Sequence, residues 1–329
     1  MTRREQFVRG AFGILNHTLP ALAARWAESL FFTPPRSAVP PRVRDFLATG
    51  RSRTLRVDGT GIAAWSWGRG PAVYLVHGWG GKGGQLAAFG PPLVRAGFTV
   101  VTFDASGHGA SSGRRTSLFE FAGALRAMVE AFGPAEAVIA HSLGAAATAR
   151  ALGEGLSVGR VVFIAPPADP ADWTRRFADR LGLAPEVLGA MQARSERRLG
   201  VLWSDLDVRR LGPALTMPLL VIHDRGDDDV PYSDGAAIVE ACPNARLITT
   251  HGLGHRRILR DPAVVGKAVS FVSGSTPPED LEAGDVLSEQ GWLEGYLFDR
   301  DRRWSLAAPQ PAAGDATCPG GWRHSRPAW

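Results

Sequence analysis

Length, composition and charge restrict what this chain can be. Its 329 residues are 45% apolar and 21% charged, enough to bury a large core, and no run reaches the roughly 18 unbroken apolar residues of a membrane span. The formal net charge of +5 comes almost wholly from arginines scattered among acidic residues, which argues against nucleic acid as a partner. Cys242 and Cys318 supply neither a disulfide framework nor a CxxC metal site, so we expect a cytoplasmic protein without a metal.

Residues 1–50 predict an amphipathic helical extension. Asn16, His17 and Thr18 interrupt its apolar stretch, unlike the continuous apolar centre of a signal peptide, and Pro20 predicts a kink. The residues expected on one helical face are Phe7, Ala11, Ile14, Thr18, Leu22, Trp26 and Leu30. We expect this face to pack on the body of the protein, and the alternative is a peripheral contact with a membrane surface.

Short apolar runs recur through the middle of the chain and lack the alternation of a sheet that is wet on one face. They cover residues 72–78, 98–104, 136–142, 160–166, 218–224 and 245–252. Helix-length segments alternate with them, at residues 82–96, 117–132, 143–153, 232–241 and 262–272. An antiparallel hairpin over 54–68 precedes them. This order predicts an α/β fold, a doubly wound, mostly parallel eight-stranded sheet with helices on both faces, in a domain of residues 51–274.

Residues 167–213 interrupt the alternation of strands and helices, and we interpret them as a helical cap over the sheet. Trp173, Phe177 and Leu181 are spaced as one helical face, and Pro185 suits the first turn of a second helix. Because a cap covers the edge of the sheet where ligands bind, Trp173 and Phe177 are candidates for the substrate pocket. The alternative is that this face only docks the cap onto the body.

The sequence changes character after Gly274. Residues 275–329 predict a linker, one further helix over 285–304 and a tail that is rich in Ala, Pro and Gly without periodicity. We therefore expect the core domain to end at residue 274.

Reactive side chains collect at the ends of the predicted strands. In a doubly wound sheet, ligands bind beyond the carboxyl ends of the strands, near the point where the strand order reverses. The residues at or just after those ends are His77, Asp104, Ser142, Asp224, Asp227, His251 and His255. We therefore expect a functional site along this edge.

The segment "AHSLG", residues 140–144, joins a predicted strand to a predicted helix in the manner of a nucleophile elbow. Such a turn is crowded, and the small residues Ala140 and Gly144 stand two positions before and after Ser142. The turn would hold the serine Oγ above the sheet, where backbone N–H groups at the helix start can stabilise an anion. A neutral imidazole suits activation of a serine at neutral pH, and His255 lies on a glycine-containing loop before the last predicted helix.

Several segments together resemble the α/β-hydrolase fold superfamily over about residues 54–273. They are "HGWGG" at 77–81, "DASGHGASSG" at 104–113, "AHSLG" at 140–144, "HDRGDDDVP" at 223–231 and "GLGH" at 252–255. The resemblance implies a serine hydrolase that cleaves a small-molecule carboxylic ester or thioester through an acyl-enzyme, without a cofactor. The implied roles are Ser142 as nucleophile, His255 as base, Asp227 as acid, and the backbone N–H groups of Trp79 and Leu143 as the oxyanion hole.

Some assignments stay open at this point. Asp228 is the alternative acid. His77 and His141 are candidates for lining the substrate pocket, although His77 also stands in a loop where the superfamily uses histidine to hold backbone. Arg256 and Arg257 either bind an acidic group of the substrate or face water.

The function also has alternatives. The same fold serves ligand-binding proteins without activity, and the same three side chains serve acyltransferases, lyases and perhydrolases. The joint presence of Ser142, Asp227 and His255 favours a hydrolytic enzyme. Nothing in the sequence predicts the oligomeric state or the natural ester.

Overall fold

A computed structural model describes residues 3–36 and 38–274 of the chain, and the predicted linker, helix and tail of residues 275–329 lie outside the described residues. Within that part of the chain, no helix is both long and apolar enough to cross a membrane.

Eight strands of the described residues form one sheet. They are β1 (Arg51–Val57), β2 (Thr60–Trp67), β3 (Ala72–Val76), β4 (Thr99–Phe103), β5 (Ala135–His141), β6 (Val158–Ile164), β7 (Leu219–Asp224) and β8 (Ala245–Thr250). Their order across the sheet is β1-β2-β4-β3-β5-β6-β7-β8. β1 and β2 form an antiparallel hairpin, β2 runs antiparallel to β4, and all other pairs are parallel. The predicted eight-stranded, mostly parallel α/β fold is confirmed.

Helices precede the sheet, cover it and form a cap. They are α1 (Arg3–Thr18), α2 (Pro20–Phe31), α3 (Pro41–Ala48), α4 (Gly90–Arg95), α5 (Leu118–Phe132), α6 (Leu143–Gly153), α7 (Pro170–Leu181), α8 (Pro185–Leu199), α9 (Val208–Leu211), α10 (Tyr232–Ala241), α11 (Gly254–Arg257) and α12 (Pro262–Val272). α5 and α6 share a core cluster with alternate residues of β3 and β5, whereas α12 contacts β5, β6, β7 and α4. Every residue of β3 is buried, as the unbroken apolar run predicted.

One predicted helix is wrong in detail. The segment expected as a single helix over 82–96 is a 3-10 helix from Gly83 to Phe89 followed by α4. Pro91 and Pro92 occupy the first turn of α4 and lack the N–H groups that would continue the preceding helix. The prolines therefore start a new helix instead of extending the old one.

The sheet geometry fixes where a site can form. β4 lies on one side of β3, and β5 to β8 follow in order on its other side. The strand order therefore reverses between β3 and β5. The loops that leave the carboxyl ends of these two strands flank a crevice at this reversal, which is where ligands bind in such sheets. The cap helices α7, α8 and α9 lie between β6 and β7 in the chain.

The N-terminal helices pack on the cap, and the predicted face is buried there only in part. Phe12, Ala23, Ala24 and Ala27 are buried in a cluster with cap residues. The cap residues in that cluster are Leu181, Val187 and Met191. Of the residues expected on the buried face, Trp26 and Leu30 pack against this cluster. Phe7 is instead 75% exposed, Ile14 is 67% exposed and Leu22 is 49% exposed. The break at Leu19 separates α1 from α2, so one 3.6-residue period does not run through both helices, and the small alanines of α2 allow close approach to the cap.

Candidate active site

Ser142 stands in a strained turn between β5 and α6. Its backbone has φ 52° and ψ −124°, a conformation that costs a non-glycine residue on the order of 1–3 kcal/mol. The turn packs tightly on β3, because a Cβ added to Gly144 would lie 2.5 Å from the carbonyl oxygen of His77. The Ser142 N–H donates to the Ile164 carbonyl at 3.0 Å, which ties the turn to β6. This local geometry is the strand, turn and helix that the elbow motif predicted.

Asp227 and His255 meet above the same edge of the sheet. Nδ1 of His255 lies 2.8 Å from Oδ2 of Asp227, whose side chain is fully buried. The other carboxylate oxygen of Asp227 accepts from the amides of Asp229 and Val230, at 2.9 and 2.8 Å. Burial acts to raise the pKa of Asp227, but hydrogen bonds from His223, His255 and the Val230 amide outweigh it and hold that pKa well below its ordinary value. The carboxylate is therefore ionised and fixed, while Asp228 is exposed.

His141 joins the His255 loop to the strand end that carries Ser142. The two imidazole rings are 4.6 Å apart between centroids, and Nε2 of His141 donates to the backbone carbonyl of His255 at 2.9 Å. Burial, together with the nearby His255, lowers the pKa of His141 to about 3, so His141 is neutral. Its Nδ1 is buried without a hydrogen-bond partner. His141 therefore lies beneath His255 and holds it near the elbow.

Asp224 supports the same loop, and the sequence analysis assigned it no such role. Its Oδ2 accepts from Oγ1 of Thr250 at 2.8 Å and from the Leu253 amide at 2.9 Å. Its Oδ1 accepts from the Gly226 amide at 2.9 Å. This buried carboxylate therefore connects the end of β7 to the loop before His255. The signal in the sequence was an aspartate two residues before glycine at a strand end, a pattern that favours a side-chain-capped turn.

The loop after β3 lies directly beside Ser142. A Cβ added to Gly78 would lie 2.9 Å from Cβ of Ser142, so only glycine allows this approach. Nε2 of His77 accepts from the Ala105 amide at 3.0 Å, and its Nδ1 donates to the Gly78 carbonyl at 2.7 Å. Burial lowers the pKa of His77 to about 4, in keeping with a neutral ring that both donates and accepts. The histidine fixes the backbone that leads into Trp79.

His108 and Asp104 hold the far side of that loop. Nε2 of His108 accepts from the Gly80 amide at 3.0 Å, and burial lowers the pKa of His108 to about 3. Asp104 accepts from the amides of Gly83 and Ala110, at 2.6 and 2.7 Å, and its own burial raises its pKa. Both side chains act on backbone, which gives the loop a defined shape before any ligand arrives.

A cavity of about 480 Å³ opens beside the elbow. Trp79 and Leu143 line it, and Trp173 and Phe177 from α7 face them. Its other lining residues are Leu30, Phe31, Phe32, Ser117, Leu118, Phe119, Pro167, Pro170, Arg176, Arg180, Leu199, Trp203, Leu206, Asp228 and Asp229. The cavity has the size and the mostly apolar lining of a small-molecule site.

Two residues expected in the pocket lie elsewhere. His77 and His141 are buried beneath their loops, with 0% and 2% exposure, and neither lines the cavity. Both ring nitrogens of His77 and Nε2 of His141 contact backbone groups, and Nδ1 of His141 is buried, so neither ring faces the cavity. His77 and His141 instead hold the backbone of the loops that surround the site.

The arginines after His255 do not point into the cavity. Arg256 is 81% exposed and lies 3.6 Å from Asp229, and Arg257 donates to the carbonyls of Gly252 and Leu253 in its own loop. Of the two alternatives left by the sequence, the structure favours contact with water. Among residues 3–36 and 38–274, no group of His, Cys, Asp and Glu side chains is arranged to hold a metal ion.

The fold, the strained serine turn and the loops around it define a class of protein. The chain belongs to the α/β-hydrolase fold family. A family model described as "alpha/beta hydrolase fold" matches residues 71–188, and a second, described as "TAP-like protein", matches residues 205–283.

Known relatives agree with that membership. A pimeloyl-[acyl-carrier protein] methyl ester esterase of Xanthomonas campestris pv. campestris is 31% identical over 258 residues, covering 64% of this chain and 98% of the relative. Among solved structures, an esterase of Exiguobacterium antarcticum has a TM-score of 0.54 at 17% identity, covering 68% of this chain and 99% of that one. A bromoperoxidase of Bacillus anthracis has a TM-score of 0.53 at 20% identity, covering 68% and 100%. At these identities the solved structures show the fold alone.

Proposed function

We propose that the chain hydrolyses small-molecule carboxylic esters or thioesters through an acyl-enzyme formed on Ser142. The observation that carries the proposal is the 2.8 Å contact between His255 and the buried Asp227, on a loop that His141 holds against the serine turn. The relative named as a methyl ester esterase supports the same reaction class, since this chain covers 98% of its length.

In the proposed mechanism, Oγ of Ser142 attacks the ester carbonyl while Nε2 of His255 takes the hydroxyl proton. Asp227 accepts the Nδ1–H of the imidazole, which keeps Nε2 free to act as the base and stabilises the imidazolium that forms. The C–O bond of the ester then breaks and the imidazolium gives its proton to the leaving alcohol or thiol. Water repeats the sequence on the acyl-enzyme and releases the acid, which restores Ser142.

The tetrahedral oxyanion requires donors that are already in place. We assign this role to the backbone N–H groups of Trp79 and Leu143, because both residues line the cavity beside the serine turn. His77 and His108 fix the first loop by hydrogen bonds to backbone, and the start of α6 orients the second N–H. Removing one such donor in comparable enzymes costs about 10²–10³ in rate.

A fluorophosphonate probe tests the proposal, because it phosphonylates a serine only when the hydroxyl is activated. We expect labelling of the native protein and none of Ser142→Ala, with loss of labelling in His255→Ala. Ser233→Ala is the matched control, since Ser233 is exposed on α10 far along the chain from the elbow, and it should label as the native protein does. Labelling that persists in Ser142→Ala, or equal labelling of His255→Ala and the native protein, would refute the assigned roles.

Hydrolysis of nitrophenyl esters separates enzyme from binding protein. Turnover that disappears in Ser142→Ala supports the proposed reaction. Ester that binds to the native protein but stays intact would instead indicate a ligand-binding member of the family, and product transferred to an added alcohol in preference to water would indicate an acyltransferase.

A further inference from the structure

One wall of the cavity comes from outside the segments that match the family models. Leu30, Phe31 and Phe32, at the end of α2, line the cavity together with the cap. The family matches begin at residue 71, so this wall belongs to the N-terminal extension of this chain. The cavity therefore has a different boundary from one that the sheet and cap alone would provide.

Phe31 is at the centre of an aromatic cluster on this wall. Its ring makes edge contacts with Phe32, Phe177 and Trp203, at centroid distances of 5.1, 5.2 and 5.8 Å. Trp203 is itself fixed, because its Nε1 donates to Oγ of Ser195 on α8 at 3.0 Å. Edge contacts of this kind define ring orientation, so Phe31 presents a fixed surface to the cavity.

A buried ionic cluster holds the wall to the cap. Glu28 lies one turn before Phe31 on α2 and its side chain is 3% exposed. Its carboxylate accepts from Arg194 at 2.5 Å and from Arg198 at 2.7 Å, both on α8. A third guanidinium, that of Arg115, lies 3.8 Å away. Because an ionised carboxylate is costly to bury without partners, these contacts fix the register of α2 against α8.

The charged side chains that line the cavity are two arginines and two aspartates. Arg176 donates to the Asp229 carbonyl at 2.9 Å, and Arg180 forms an ion pair with Glu5 of α1. The carboxylate of Asp229 lies 3.6 Å from Arg256, and Asp228 is exposed. With two positive and two negative side chains, the lining carries no net charge to attract an ionised acyl terminus, and its aromatic and aliphatic residues favour an uncharged chain.

We infer that the wall formed by residues 30–32 binds the acyl group, that Phe31 determines how long a chain fits, and that the substrates are esters or thioesters of uncharged, apolar aliphatic acids. This inference rests on the proposed function for the position of the carbonyl. The acyl chain extends from Trp79 and Leu143 toward the aromatic cluster, and Phe31 ends its path.

The test compares kcat/KM for nitrophenyl esters from acetate to laurate. In Phe31→Ala the ratio of laurate to acetate should rise about tenfold or more, because truncation opens the end of an apolar pocket. In Phe31→Trp, which keeps the aromatic wall but enlarges it, the same ratio should fall. Phe12→Ala is the matched control: Phe12 is fully buried between the N-terminal helices and the cap but does not line the cavity, and its ratio should stay native.

The outcomes separate this inference from the proposed function. If no ester turnover depends on Ser142, the proposed function fails, and calorimetric binding of decanol to the Ser142→Ala protein then tests the wall alone. Weaker decanol binding in Phe31→Trp but not in Phe12→Ala supports the wall. Turnover that depends on Ser142 but shows an unchanged laurate-to-acetate ratio in both Phe31 variants overturns the inference. An equal change of that ratio in Phe12→Ala overturns it too. In the binding experiment, unaltered decanol binding in Phe31→Trp has the same consequence.

Discussion

The replacement Asp227→Asn tests the proposed mechanism most directly, because it changes a charge and a donor pattern but little volume. The Asn carbonyl can still accept from the amides of Asp229 and Val230, which Oδ1 contacts now at 2.9 and 2.8 Å. Its NH₂ group then faces Nδ1 of His255 and can only donate. The imidazole must then carry its proton on Nε2. A protonated Nε2 cannot accept the hydroxyl proton of Ser142.

The expected loss follows from that geometry. The contact between Asp227 and His255 is a 2.8 Å charge-assisted hydrogen bond to a fully buried carboxylate, so solvent does not weaken it. In comparable triads the same replacement lowers kcat by about 10⁴, equivalent to about 5 kcal/mol of transition-state stabilisation. We expect a loss of that order here, with KM changed much less.

The assay is steady-state hydrolysis of nitrophenyl butyrate, with thermal unfolding as the check on folding. Asp228→Asn is the comparison, since Asp228 is exposed and next in sequence, and its kcat should stay within about tenfold of native. A loss below about tenfold in Asp227→Asn, with the fold intact, would refute the reasoning. A larger loss in Asp228→Asn than in Asp227→Asn would reassign the acid.

Three further predictions concern the groups around the site. Gly78→Ala should lower the rate of fluorophosphonate labelling at least about 10²-fold, because the new Cβ would lie 2.9 Å from Cβ of Ser142. In the control Gly189→Ala, the new Cβ meets open space on α8, so this variant should label normally and unfold at a slightly higher temperature. His108→Gln should reduce the pH dependence of the free energy of unfolding, measured with urea. The folded state keeps the pKa of His108 near 3, so its contribution to the free energy of unfolding is complete above about pH 6.5 and about 2 kcal/mol is lost by about pH 5. An unchanged slope in His108→Gln would contradict this prediction. Glu28→Gln should lower the free energy of unfolding by about 1–3 kcal/mol, because Arg194 and Arg198 lose a buried counter-charge but are themselves partly exposed; an unchanged urea midpoint would contradict the role of this cluster.

Local patterns explain why the sheet and the elbow could be predicted from the sequence. Buried parallel strands give apolar runs, and the residues at their ends follow directly from where the runs stop. Ser142 is flanked by small residues because its turn is crowded, and that requirement is visible in five letters of sequence. The strand ends were accurate to within two or three residues for the same reason.

The interactions that the sequence did not reveal depend on distant partners. Nothing near Glu28 indicates that two arginines on α8 will surround it, and nothing near Phe31 indicates that Phe177 and Trp203 will. The buried face of the N-terminal helices was predicted only in part, because the break at Leu19 ends the period on which the prediction depended. His77 and His141 were candidates for lining the pocket, because a motif gives a residue's place along the chain but does not show that its ring is buried against backbone.

The N-terminal wall has a consequence for how the protein is made. α2 leaves the ribosome well before its partners on α8 and at Trp203, which follow it much later in the chain. At about 5–20 residues per second, the wait is on the order of 10–30 s. During that time the apolar side of α2, with Ala23 and Ala27, has no cap to cover it. The nascent chain therefore exposes an apolar helix face until the cap has been synthesised, and a chaperone that shields nascent chains would be expected to bind α2.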